Sequence, residues 1–237
     1  MITSFDEYLI ATSETAIYPD GEEGVTYLIM GIVGESGEVC NKLKKALRGD
    51  YKLTAQKKKE IGKELGDICW YLFQLLKRYR RKPSDFIPDS IEIYESRHKN
   101  LDIKYINRNS VLLAHMCSSF GERYFVSVVR AGTVKEFFCM VLNTLSVMAN
   151  QLDINLIDVL NNNINKLSVR KKEGVLQGDG DNRTLELIDI DYLPYDGMQA
   201  FIVKRKLGCS FHPHIKASFD RDNGVKFTID DKILRVI

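Results

Sequence analysis

A mainly α-helical protein with a small β-rich C-terminal extension is predicted by three observations. Up to about Lys172, apolar residues recur at three, four and seven positions, the period of amphipathic helices. Two of these segments carry acids paired at a spacing of three, Glu35 with Glu38 and Glu64 with Asp67. After Thr184 the texture changes to short alternating runs divided by Gly, Pro and Asp, which read as strands. A boundary near Arg183 to Glu186 therefore separates a helical domain, 1–184, from an extension, 185–237.

Taken in order, Ser4-Phe5-Asp6-Glu7 fits a capping box, and Phe5, Leu9 and Ala16 suit one face of a short helix that Pro19-Asp20-Gly21 ends. From Val25 to about Leu47, Leu28, Ile32, Val39, Leu43 and Leu47 form one apolar stripe, with Arg48-Gly49-Asp50 as the stop. A second long helix, Ala55 to about Tyr79, places Ile61, Leu65, Ile68, Leu72 and Leu75 together before Pro83 and Pro88. The stretch Ser84 to Asn109 is polar and without clear period. Helices follow near Ser110 to Arg130, Val134 to Leu152 and Asn155 to Lys172. Gly174 and Gly178-Asp-Gly-Asp-Asn-Arg183 mark a loop. Alternation in 199–205, 215–219 and 225–229 predicts three or four short strands.

With 237 residues, 44% of them hydrophobic and 28% charged, the composition is that of a globular protein able to bury a substantial core. No apolar run approaches a bilayer-crossing length. The opening Met-Ile-Thr-Ser-Phe-Asp-Glu lacks a basic start and apolar stretch, so a cytoplasmic location is expected. Five cysteines without a close pair argue against a disulfide framework. A net charge of only +2, with scattered basic residues, argues against a dedicated nucleic-acid binder.

The chemistry lies in the acid pairs. Residues three apart on a helix project to the same side, so two such helices packed face to face bring Glu35, Glu38, Glu64 and Asp67 together. Four carboxylates in a small volume require a hard cation, and an all-oxygen set favours Mg2+, with Mn2+ as the alternative. Gly34, Gly37 and Gly66 adjoin the acids although Gly costs about 1 kcal/mol in a helix, which points to a close approach of backbone or ligand. A divalent ion held by carboxylates with open positions typically works on phosphates. Ordinary exposed acids paired with Lys42 and Lys63 are the competing explanation.

At these residues the sequence resembles the MazG-like nucleotide pyrophosphohydrolases, relatives of the all-helical dUTPases and the phosphoribosyl-ATP pyrophosphohydrolases. The resemblance rests on Thr15-Ala-Ile-Tyr-Pro19, Gly31-Ile-Val-Gly-Glu-Ser-Gly-Glu-Val39 with Lys42 to Lys45, and Lys63-Glu-Leu-Gly-Asp-Ile-Cys-Trp-Tyr71. It extends to Asp158-Val-Leu-Asn-Asn-Asn-Ile-Asn-Lys-Leu167, Arg170 and the ending at Arg183, and so covers about 12–73 and 146–183. It implies an antiparallel helical bundle that hydrolyses a nucleoside triphosphate between the α and β phosphates, giving monophosphate and pyrophosphate. Glu35, Glu38, Glu64 and Asp67 would be the metal-holding and catalytic acids. Lys166 and Arg170 would meet phosphate charge, and Asn163 holds the family's asparagine position. Tyr71 matches an aromatic that touches phosphate or sugar. Lys42 and Lys45 fit substrate binding and a solvated helix face equally well, while Trp70 suits the core better than a stacking platform. A homo-oligomer, dimer or tetramer, is the assembly expected.

The sequence departs from the family pattern by an insertion, about 75–139, expected to form an added helical layer whose ends lie close together. His98 and His115 within it read as structural. In the extension, Cys209-Ser-Phe-His212-Pro-His214 reads as a turn rather than a metal site. A nucleotide-binding regulator without turnover and an alarmone hydrolase are the alternative functions.

Overall fold

The structure, a computed structural model, describes residues 1–98, 101–126, 131–174 and 176, and the backbone of five strands beyond them. The chain divides into two units, Met1–Lys172 and Glu173–Ile237.

The first unit is helical. Helix α1 (Phe5–Ser13) begins at the predicted capping box: Ser4 Oγ accepts from the Glu7 amide at 3.1 Å, and Glu7 Oε2 accepts from the Ser4 amide at 3.2 Å. Phe5 and Leu9 are buried, while Ala16 falls beyond the end of the helix. Helix α2 (Gly21–Arg48) starts earlier than Val25 and stops at Gly49, whose φ of 91° lies in the left-handed region that glycine enters without a Cβ clash. Leu28, Ile32, Val39 and Leu43 are buried, each stabilising the fold by about 1.5–3 kcal/mol, but Leu47 is exposed. At roughly 100° per residue it has drifted about 100° from Leu28 and off the buried stripe.

Helix α3 (Ala55–Arg78) is capped by Thr54 and buries all five predicted stripe residues. The polar stretch that follows contains a 3-10 turn, Pro83–Asp85, the five-residue helix α4 (Ile91–Glu95) and a second turn, Ile103–Tyr105. Helices α5 (Ile106–Val126), α6 (Ala131–Gln151) and α7 (Leu156–Lys172) complete the unit.

Side-chain contacts fix the directions. Gly31 of α2 lies against Tyr71 of α3, and Lys42 of α2 reaches back to Glu64, so these helices are antiparallel. Cys40 Sγ meets the Ser110 carbonyl at 3.4 Å and Gly121 approaches Ile29, so α5 runs antiparallel to α2 on another side. Phe120 of α5 stacks on Phe137 of α6 with ring centres 4.0 Å apart. Phe73 of α3 meets Phe138 of α6 edge-on at 5.2 Å. Helices α2, α3, α6 and α5 thus pack in a ring around one core. The Phe73–Phe138 contact also brings together the two ends of the stretch 75–139, which contributes α4, α5 and part of α6.

In the second unit only backbone pairing is described. Strand β1 (Ile190–Tyr195) pairs antiparallel with β2 (Met198–Val203), Ile190 opposite Val203. Strands β3 (Ile215–Asp220), β4 (Gly224–Ile229) and β5 (Lys232–Leu234) form a separate antiparallel group. The cluster at Cys209, His212 and His214, and most of the glycine-rich loop ending at Arg183, lie outside the described residues.

Candidate metal centre

Two glycines set the spacing on which the centre depends. A Cβ on Gly31 would sit 2.4 Å from the Tyr71 ring, so that ring rests directly on the α2 backbone. A Cβ on Gly66 would come within 3.1 Å of Asn163 Cβ, so α7 crosses α3 closely at the acidic motif. Of the close approach of backbone or ligand expected at the three glycines beside the acids, Gly66 shows a neighbouring helix, while Gly34 and Gly37 face open space. They leave the rim of the acid cluster uncovered.

Between these contacts, Glu35 of α2 and Glu64 and Asp67 of α3 each place a carboxylate oxygen within 4.8 Å of the others. Full charges at that separation repel by about 3–4 kcal/mol per pair at an effective dielectric near ~20. Glu64 is buried, and Glu35 and Asp67 are half-buried. Burial, then the charges of Asp67 and Glu64 and a hydrogen bond shared with Glu64, push the Glu35 carboxyl up to about 8. Glu38 lies outside this group of three and is exposed, because a step of three residues falls about 60° short of a full turn.

Helix α7 supplies the counter-charge. Lys166 Nζ lies 2.6 Å from both Asp67 oxygens, and Asn163 Nδ2 donates to Asp67 Oδ1 at 2.8 Å. On the opposite side Lys42 Nζ is 3.1 Å from Glu64 Oε1. Arg170 follows Lys166 by one turn and is half-buried, whereas Lys45 is exposed and its charge acts on Asp50. Tyr71 is partly buried beside Glu35 and hydrogen-bonded to Tyr27, and burial raises its hydroxyl above the ordinary range. Trp70 is a core residue whose Nε1 donates to Thr15 Oγ1 at 3.1 Å.

Two further groups support the centre without any motif to announce them. Tyr8 of α1 is fully buried and donates to Asn163 Oδ1 at 3.0 Å, and Tyr27 joins an aromatic group with Tyr18 and Tyr71. A cavity of about 370 Å³ lies among α4, α6 and the start of α7, lined by Glu92, Glu95, His98, Ser146 and Asn150. None of the four acids lines it. His98 is hydrogen-bonded to Ser146 at 3.1 Å there, and His115 lines an apolar groove between α5 and α6.

Among curated proteins, the chain is 32% identical over 184 residues to the Gene 37 protein of Mycobacterium phage L5, across 75% of this chain and 97% of the phage protein. The chain belongs to the family of that phage protein. No protein-family model matches it, and no solved structure matches it significantly. Among the described residues no single helix is long and apolar enough to cross a membrane.

Glu35 gives the centre a pH signature. Its folded value of about 8 lies above the ordinary 4.5, so the folded state holds a proton that the unfolded state has lost between those limits. Stability from this group is complete below about 4.5 and declines as pH rises through about 8. Without divalent ions, the melting temperature is expected to fall over that range, and Glu35→Gln should flatten the decline. An unchanged slope in Glu35→Gln would remove Glu35 as its source.

Proposed function

We propose that this chain is a Mg2+-dependent nucleoside triphosphate pyrophosphohydrolase of the MazG-like kind. The observation that carries the reading is the convergence of Glu35, Glu64 and Asp67 from two antiparallel helices, with Lys166 and Asn163 aimed at Asp67. Three carboxylates this close fit a hard divalent cation, since burial and the charges of Asp67 and Glu64 together already favour the protonated form of Glu35. Glu38, on the uncovered rim one turn from Glu35, is the fourth donor in this reading.

A bound Mg2+ or Mn2+ would polarise phosphate oxygens and lower the pKa of water at the centre. The protein's own part is positioning and charge. Lys166 and Arg170, one turn apart on α7, face the phosphate chain, and Lys42 adds a cation on the far side of Glu64. Water attacks the α phosphorus, the bond from that phosphorus to the bridging oxygen breaks, pyrophosphate leaves, and the proton passes to a carboxylate of the cluster. Segment 185–237 is read as a small β-rich extension that this chemistry does not require.

The test is a panel of canonical, modified and alarmone nucleotides incubated with the protein and Mg2+, with products identified. Monophosphate and pyrophosphate are expected from at least one triphosphate, and chelation should stop their release. Binding of nucleotide with no product from any member would replace the enzyme with a nucleotide-binding regulator.

A further inference from the structure

Helix α1 carries no acid of the centre and no residue of either acidic motif, yet polar side chains fasten it to α3 along its length. Gln74 Nε2 donates to Thr12 Oγ1 at 2.9 Å, and Trp70 reaches Thr15, just beyond the helix. Tyr8 stands apart from these ties because its hydroxyl leads to the acids. It lies 3.0 Å from Asn163 Oδ1 and 3.4 Å from the Gly66 carbonyl, and Asn163 Nδ2 in turn donates to Asp67 Oδ1 at 2.8 Å.

We propose that Tyr8 is a positioning residue for the acid cluster, acting through Asn163. This rests on the metal-centre reading above. Asn163 is buried, so its amide has no water to satisfy it, and its two ends must be matched by protein. The Tyr8 hydroxyl satisfies the oxygen end, which leaves the NH2 end turned to Asp67. Loss of that hydroxyl leaves the oxygen end without this donor and frees the amide to shift or rotate, and the Asp67 carboxylate then loses a fixed donor. Such outer contacts hold ligand carboxylates in place, and removing one typically weakens metal affinity about 10–100-fold.

Tyr8→Phe isolates the effect, since the ring keeps its edge-on contact with Phe73 at 4.8 Å and only the oxygen goes. The measurement is Mn2+ affinity of the full chain by electron paramagnetic resonance, which needs no turnover. Tyr8→Phe is expected to bind Mn2+ at least about tenfold more weakly than the parent. Thr12→Val removes another buried α1 hydroxyl bonded to α3 and should lower thermal stability with Mn2+ affinity unchanged. In an Asn163→Ala background, Tyr8→Phe should add nothing further. If the parent binds Mn2+ and Tyr8→Phe binds it equally, or Thr12→Val loses as much, the positioning role is overturned and the metal centre stands. If the parent does not bind Mn2+, both fall. Should Tyr8→Phe lose its helical signal, Asn163→Ala decides: unchanged affinity there overturns the role.

Discussion

Asp67→Asn is expected to reduce Mg2+-dependent pyrophosphate release by at least about a hundredfold, with the helical circular dichroism signal retained. Loss of an outer contact alone costs about 10–100-fold in metal affinity, and Asp67 is itself a proposed ligand. It is also the acid on which α7 converges, through Lys166 Nζ at 2.6 Å and Asn163 Nδ2 at 2.8 Å. The substitution keeps the shape; it removes the repulsion of Asp67 on Glu35 and Glu64 and, against that, the ion pair with Lys166, so the helical fold should persist. Glu38→Gln is expected to lose activity as well, because the proposal makes that exposed acid a donor from the rim. Full activity in Asp67→Asn would sink the site. Full activity in Glu38→Gln alone would reduce it to three acids.

Phe73→Ala should produce the largest loss of stability, about 3–5 kcal/mol. Phe73 is fully buried and touches three rings from two other helices: Phe5 and Tyr8 of α1, and Phe138 of α6. Truncation leaves a space that rigid neighbours on several elements cannot close together. At about 2–4 °C per kcal/mol for a chain of this size, the melting temperature should drop by roughly 10 °C. A shift below about 2 °C would mean that the ring of helices repacks more freely than its contacts imply.

How far the sequence could be read differs from element to element. Helices α2 and α3 were legible because their buried stripes follow the helical period for several turns, and Glu35, Glu64 and Asp67 are close as their spacing predicts. The meeting of Lys166 and Asn163 with Asp67 across nearly a hundred positions is not legible in the sequence: the family resemblance implies only that Lys166 meets phosphate charge and that Asn163 holds a family position, and spacing says nothing about contacts between distant helices. Helix α4 was missed because five residues are too few to display a period. Tyr8 escaped notice for a different reason. It reads as one more apolar body on a short amphipathic helix, and only the folded chain shows where its hydroxyl points. At Gly66 the glycine admits a neighbouring helix, whereas among the described residues no atom of another element approaches Gly34 or Gly37, because a glycine marks freedom from a side chain without saying what occupies the space.

The contact between Gly31 and the Tyr71 ring gauges the gap between the two acid-bearing helices. Position 31 is one turn before Glu35, and position 71 one turn after Asp67. Any residue with a Cβ there would act as a wedge at the hinge end of the carboxylate jaw. The grip on an ion could then be loosened without altering a single charged atom.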